Sequence, residues 1–361
     1  MQLSSISIQD FRSIELSNIK FNKNITIFCG QNNAGKTTLL EAIFFCSNLK
    51  SFKSLPNTEL IKKNKNTFKI SLNYHQNSLN NNIYIEKSLT SSKSTYNYKK
   101  ISKKGLSSFF PCYSLVFGFN NFLLNDSSYR RDFIDSGMFH VEPNTTSLVS
   151  IYEKTIKQRN YILKTKKTKD LEFWSNELIK INESLSAERT RYFLDLNQEF
   201  IKIIDDLKKS FPEIYKEISS LEMSYSKGWS AKTYSEELLK NNDRDINLGY
   251  TSIGTHRSDI VVKSNGRSIK ESGSMSTLVM SCLLINLAKI NVFHVKHNYK
   301  PVLLIDDLFF GIDDKNLNTV IKLLIYSKGN IVVSAPNIYK DILEKISIAH
   351  KDIELMEVGE V

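Results

Sequence analysis

The order of apolar and polar positions divides the chain into segments of three kinds. From Ser4 to Phe28 the pattern is strand-like: SSISIQDFRSIELSNIKF alternates apolar and polar residues, and NITIFCG is a continuous apolar run ending at Gly30. In KTTLLEAIFFCSN the apolar residues Leu39, Leu40, Ile43 and Phe44 fall on a helical stripe. Alternation returns over residues 67 to 120 (FKISLNYH, NNIYIEKSL, YSLVFGF) with turn-rich stretches between, predicting an antiparallel sheet. From about Ser128 to Ser210 the period is helical, predicting two long helices joined around KTKKTKD. A helix of 40 residues spans about 60 Å, so this segment is expected to project as an arm. ISSLEMSYSKGW reads as a strand and STLVMSCLLINLAKI as a helix, while PVLLIDD and GNIVVSAP are the apolar runs of buried parallel strands.

Composition adds little to this picture. With 361 residues, 41% hydrophobic and 24% charged, the chain has the balance of a globular protein large enough for one big α/β domain and a smaller one. No window approaches 18 consecutive apolar residues and the N-terminus lacks a signal-peptide layout, so a cytoplasmic location is expected. The four cysteines (Cys29, Cys46, Cys112, Cys282) are scattered, which indicates neither a zinc site nor a disulfide framework. Lys and Arg outnumber Asp and Glu by 49 to 38, giving a net charge of +11. That excess suits a protein that meets phosphate backbones, and an AT-rich coding bias toward Lys, Asn and Ile produces it equally well.

The chemistry is concentrated in GQNNAGKTTLLEA, which carries the P-loop spacing G-x-x-x-x-G-K-T between a strand and a helix. Gly30 and Gly35 allow the loop of Gln31, Asn32, Asn33 and Ala34 to turn its N–H groups toward phosphates, and the helix N-terminus points at the same charge. Lys36 is expected between the β- and γ-phosphates of ATP, Thr37 on Mg²⁺ and Thr38 on the α-phosphate. In PVLLIDDLFFGIDD a buried strand delivers Asp306 and Asp307 to its tip, the Walker B arrangement. Asp306 is expected to hold the metal through water, and Asp307 to orient the attacking water. The two motifs stand about 270 residues apart, so an insertion interrupts the nucleotide fold. His294 and His297 form an H-x-x-H pair without a third ligand nearby, and Trp174 and Trp229 read as core anchors.

Over nearly its whole length the chain resembles the RecF family of ABC-type ATPases, relatives of the SMC heads. IQDFRSI is similar to the opening N-F-R strand, GQNNAGKTTLLEAIFFCSNLKSFK to the P-loop helix and following S-F-[RK], and SSYRRDFIDSGMF to the R-R-x-F-L-D segment. YEKTIKQRNYILK resembles the L-x-Q-R-N-x-L-L-K helix, and SYSKGW, GYTSIGTHRSDI and LLIDDLFFGIDD the later signatures. The resemblance implies an α/β fold: a P-loop NTPase of the ABC/SMC-head type with an inserted helical arm. The head takes residues 1–125 and 245–361, and the arm, or second lobe, 126–244.

It also implies a protein of recombinational repair and replication-fork maintenance whose ATP-dependent homodimer binds double-stranded and gapped DNA. Such a protein helps to load recombinase with RecO and RecR and resets by slow, DNA-stimulated ATP hydrolysis. By the same resemblance Arg12 approaches the phosphates, His256 and Arg257 have a structural or nucleotide-linked role, and Ser272, Gly273 and Asp313 contact nucleotide across the dimer. Departures are visible. KESGSMSTLVM stands where the family has S-R-G-Q-Q, DDLFFGID has Gly311 in place of Glu, and GFNNF replaces the P-E-D before the Arg pair.

For DNA the candidates are Lys62, Lys63, Lys65, Lys103, Lys104, Arg130 and Arg131, together with the run Lys164 to Lys169, although the Arg pair, standing just before DFID, fits capping and pairing within the arm equally well. Backbone binding of this kind predicts steep salt dependence and little sequence preference. Two alternatives stay open. One is a degenerate ATP-binding scaffold. The other is the ATPase of an overcoming-lysogenization-type defence system, although only 25 residues follow NIVVSAP, too few for the nuclease domain of such chains.

Overall fold

A computed structural model describes the chain except for residues 54, 118–121, 167, 310, 311, 313, 360 and 361. It divides into two compact units, residues 1–121 with 293–361, and residues 122–292. The sequence reading set these boundaries at 126 and 244, so the second unit extends further along the chain than the helical pattern alone indicates.

In the first unit, β1 (Gln2–Phe11) and β2 (Ile14–Lys20) open an antiparallel sheet that continues through β4 (Thr67–Gln76), β5 (Leu79–Ser88), β6 (Ser92–Tyr96) and β7 (Lys99–Lys100), in the order β2-β1-β4-β5-β6-β7. Between its members come β3 (Ile25–Gly30) and α1 (Lys36–Asn48). After α2 (Lys103–Phe109) comes β8 (Cys112–Val116), and from the C-terminal part of the chain come β12 (Val302–Asp306), α11 (Asp314–Tyr326), β13 (Ile331–Pro336), α12 (Lys340–Ala349) and β14 (Ile353–Glu357). These strands form a parallel sheet in the order β14-β3-β13-β12-β8.

The strand at 112–116 therefore does not join the antiparallel sheet expected over 67–120. Helix α2 intervenes as a crossover, and the run CYSLV is buried along most of its length, as a covered parallel strand is. Helix α1 is buried almost all round because it lies between the two sheets. Phe45 and Phe11 meet Phe68 edge-on, at ring distances of 5.3 and 5.0 Å.

The second unit begins with α3 (Ser127–Val141), α4 (Thr145–Thr165) and α5 (Leu171–Ser210), the last of 40 residues. It continues with α6 (Pro212–Ile218), β9 (Leu221–Ser226), α7 (Tyr234–Lys240), α8 (Asn242–Leu248), β10 (Asp259–Ser264), β11 (Arg267–Ser268), α9 (Ile269–Ser272) and most of α10 (Met275–His297). Strand β10 pairs with both β9 and β11. The loop GYTSIGTHRSD, residues 249–259, is tied to α3, α4, α5 and α8 by buried side chains, and this is why residues 245–292 fold with the arm. By length and composition α10 is apolar enough to cross a membrane, and most of it is buried inside the folded chain.

Candidate nucleotide site

The cradle begins where β3 ends. A Cβ on Gly30 would stand 2.5 Å from the Val358 carbonyl oxygen, so only glycine allows β14 and its extension to pass the loop this closely. Gln31, Asn32 and Asn33 are exposed, and Asn33 (φ 69°) and Gly35 (φ 88°) take left-handed backbone that turns the chain into α1. Gly35 is the N-cap. No side chain caps this helix and no acidic residue lies in its first turn, so its leading N–H groups are left for an anion.

Lys36 is 8% exposed, and its ammonium donates to the loop's own carbonyls, Gly30 O at 2.8 Å and Gln31 O at 2.6 Å. Burial lowers its pKa, while Asp307, Cys29 and Asp306 oppose that shift. Thr38 is buried one residue beyond Thr37.

Across the sheet, Thr37 Oγ1 donates to Asp306 Oδ1 at 2.9 Å, joining residues 269 apart in sequence. Ser334 on β13 donates to the same oxygen at 2.7 Å and accepts the Asp307 N–H at 2.9 Å. Asp307 has φ 57°, a left-handed position at the strand tip that turns its side chain away from the buried strand into solvent. Partial desolvation and the Asp306 charge raise its carboxyl, with Lys53 and Lys36 pulling the other way. Ser334 and Lys53 were not picked out from the sequence. Ser334 lies within an apolar strand and Lys53 within an ordinary basic stretch, so neither carries a signal of its own.

The residues present suit a nucleoside triphosphate with a divalent cation. The first turn of α1 has no capping side chain, a lysine is held over it by carbonyls that a phosphate can replace, and a hydroxyl and a carboxylate lie side by side where a cation binds.

Arg12 occupies the β1–β2 turn with φ 51° and pairs with Glu41, a fully buried carboxylate on α1 that also accepts from Ser51. Its guanidinium thus fastens the turn to α1. Asp313 lies outside the described residues, as do Gly311 and most of GFNNF, and the Ser272 side chain is not described either. In the second unit Gly273 follows α9, where a Cβ would stand 2.5 Å from the Ile269 carbonyl oxygen. Ser274, which stands where the family pattern has glutamine, accepts from the Thr277 N–H at 3.1 Å and so caps the start of α10.

The basic candidates fare unequally. Lys62 is tied to Ser13 O at 3.1 Å and Glu15 at 3.4 Å, and Lys65 to Asp10 at 3.4 Å, whereas Lys63, Lys103 and Lys104 are exposed. Arg130 is 8% exposed, makes a two-pronged pair with Asp259 at 2.6 and 2.9 Å and donates to the Asn125 carbonyl at 2.6 Å. Those bonds leave it no free face for a DNA phosphate, which corrects the sequence expectation. Arg131 donates to Ser127 Oγ and Ser258 O, at 2.8 and 3.0 Å. Desolvation lowers its pKa, as does the neighbouring Arg189.

Among the described residues no group of three His, Cys, Asp or Glu side chains gathers to hold a metal, and His297 stacks on Phe293 at 4.3 Å. Trp174 packs on the Ile162, Leu163 and Leu171 cluster, and Trp229 lies 5.1 Å from the Tyr234 ring.

His256 is structural. Its Nδ1 meets Tyr152 Oη at 2.8 Å and its Nε2 the Thr251 carbonyl at 3.0 Å, and burial lowers its pKa to about 4. The folded protein keeps this imidazole neutral down to that pH, whereas the unfolded chain takes the proton near 6.5. The stabilisation is therefore complete above pH 6.5 and is lost as pH falls toward 4, amounting to about 2 kcal/mol by pH 5. Urea unfolding at pH 7 and pH 5 is expected to show a loss that much larger in the parent than in His256→Gln. Equal losses would mean that the ring is already protonated in the fold.

Comparison with known proteins places this geometry. The sequence pattern of the AAA domain family matches residues 5–253. DNA replication and repair protein RecF of Pseudoalteromonas translucida is 29% identical over 349 residues, covering 93% of this chain and 92% of the relative. The protein of the same name from Clostridium acetobutylicum is 30% identical over 334 residues, covering 90% of each. Among solved structures, recombination mediator protein RecF with ATP superposes with a TM-score of 0.77 at 21% identity, over 99% of this chain and 96% of that one. The Pyrococcus furiosus Smc head superposes at 0.56 and 14% identity, over 100% and 94%.

Proposed function

The chain belongs to the RecF family, and on that premise we propose that it is an ATP-dependent DNA-binding protein of recombinational repair, acting in the cytoplasm. The observation that carries this is the Thr37–Asp306 hydrogen bond, which brings the hydroxyl of the P-loop helix against the carboxylate of the distant Asp-Asp strand.

In this reading ATP with Mg²⁺ supplies the negative charge that two protomers share when they close on DNA. The chain's own residues do the rest. Gly30 to Gly35 present N–H groups, Lys36 leaves the Gly30 and Gln31 carbonyls for a phosphate, and Thr37 and Asp306 hold the cation. Ser334 fixes the Asp306 carboxylate and the Asp307 backbone, and Asp307 orients water from the strand tip. Asp307 is one methylene shorter than the Glu usual at this position in ABC ATPases, and slow turnover follows from its shorter reach.

Gly273, with Ser272 and Asp313, supplies the contact across the dimer, and Lys63, Lys103 and Lys104 meet the DNA backbone. RecR and RecO are the partners that family membership suggests. Closure is a population shift, because only the dimer binds a phosphate shared between protomers.

Light scattering with a duplex DNA titration is expected to show a monomer without nucleotide or with ADP, and with ATP a dimer that holds duplex. A protein that stays monomeric and binds DNA equally in all three states would overturn the clamp and leave an ATP-binding scaffold.

A further inference from the structure

At the end of the antiparallel sheet away from the cradle lies a groove of about 440 Å³ lined by Asn73, His75, Asn80, Asn82, Asn97 and Tyr98, among others, and by no acidic or basic side chain apart from the histidine. Ser4 lines it too, and its neighbour Leu3 donates its N–H to the Asn330 side chain just before β13, the end of the parallel sheet opposite Gly30, so this is not the nucleotide site.

The floor is a cross-strand row, Ser5 opposite Asn73 opposite Asn82, with Asn97 next. Asn73 Nδ2 donates to Ser5 Oγ at 3.0 Å, Asn82 Nδ2 to Asn73 Oδ1 at 2.9 Å, and the Asn82 N–H to Asn97 Oδ1 at 2.8 Å. These bonds fix the amides in place. Among the described residues the Asn80 amide and Asn82 Oδ1 take no intramolecular hydrogen bond, which leaves donors and acceptors facing the groove.

Tyr98 sits on the rim. It is 88% exposed and holds φ 65° in the two-residue turn between β6 and β7, a position that favours Gly or Asn. Neither packing nor turn chemistry accounts for a tyrosine there. Positive charge stands at both ends of the row: Lys100, across from Thr95 and Tyr84 on the asparagine face, and Lys20, opposite Ser5.

We propose that this groove takes an unpaired nucleobase of a single-stranded nucleic acid, with Tyr98 stacking on the base, the asparagine amides meeting its edge, and Lys100 and Lys20 on the adjoining phosphates. Amide groups match the paired donors and acceptors of a base edge, and an exposed ring beside lysines is how single strands are held. A duplex keeps its base faces stacked and cannot offer one to Tyr98. The site goes beyond the duplex clamp proposed above and needs no ATP.

The test is fluorescence anisotropy of the full chain, without nucleotide for a labelled single strand of roughly 12 nucleotides and with ATP for a duplex of the same length. Tyr98→Ala is expected to weaken single-strand binding about tenfold while duplex binding stays within about twofold, and Tyr98→Phe to restore it. Lys100→Ala should weaken single-strand binding and flatten its salt dependence. An unchanged single-strand affinity in Tyr98→Ala, or an equal loss for both DNAs, would overturn the proposal. So would displacement of the strand by deoxyadenosine monophosphate at equimolar concentration, which would assign the groove to a free nucleotide. Because Tyr98 is exposed at a turn, the variant should unfold at the parent's temperature, and that measurement separates lost binding from lost fold.

Discussion

Lys36→Ala is expected to abolish ATP binding and, with it, every ATP-dependent property, while leaving the fold intact. The two halves of this expectation have separate causes. Among the described residues the Lys36 ammonium is bonded to Gly30 O and Gln31 O, and the first of these bonds is buried, so unfolding stability should change by about 1–3 kcal/mol. A triphosphate, by contrast, loses the ammonium held over the cradle, and an affinity loss of about a hundredfold or more is expected.

Thermal unfolding reads both at once. A ligand at a hundred times its dissociation constant stabilises by ~2.7 kcal/mol, and after a hundredfold weakening the same concentration gives ~0.4 kcal/mol. The parent should therefore melt higher with ATP than without it and the variant hardly so, each compared with its own melting point without nucleotide. Equal stabilisation of both by ATP would place the nucleotide somewhere other than Gly30 to Thr38.

The cradle was legible because its chemistry is local. Gly30, Gly35, Lys36 and Thr37 fall within eight residues, and the spacing itself carries the geometry. Asp306 was legible through a second local pattern, an apolar run ending in carboxylates. That the two patterns meet depends on β3, β13 and β12 being neighbours in one parallel sheet. Ser334, which fixes Asp306 in that arrangement, was missed because one serine in an apolar run looks like any other.

The arginines show the opposite failure. Arg130 and Arg131 fit contacts to DNA or nucleotide and pairing within the arm equally well, since a sequence does not reveal that Asp259, 129 residues away, will come to lie against the first of them. Arg12 likewise has its partner, Glu41, hidden inside a helix that reads as apolar. Periodicity found the long helices, but not that the loop at 249–259 would be built into them. The motifs that signalled the family are in large part each other's partners: Arg130 with Asp259, Tyr152 with His256, and Arg159 with Thr251.

The Arg159 pairing supports the second large effect. Arg159 and Asp245 are both fully buried, 2.8 Å apart, and the guanidinium also donates to Thr251 Oγ1 at 2.7 Å and Ser175 Oγ at 3.0 Å. Arg159→Met keeps much of the volume but leaves a buried carboxylate without its cation, for an expected loss of about 3–5 kcal/mol. Asp245 would retain the Ser252 N–H at 2.9 Å and the Ser252 hydroxyl at 2.6 Å, which argues for the lower part of that range.

If charge rather than packing dominates, Arg159→Met combined with Asp245→Asn should cost less than Arg159→Met alone, because the amide needs no cation. Urea unfolding followed by helical circular dichroism measures both variants, read on the transition that the first of them displaces, since a chain of two units need not unfold in one step. A double variant as unstable as the sum of its parts would mean that the two residues act through packing independently. A loss below about 1 kcal/mol in Arg159→Met would mean that water reaches Asp245 and that the pair is not the brace its burial makes it.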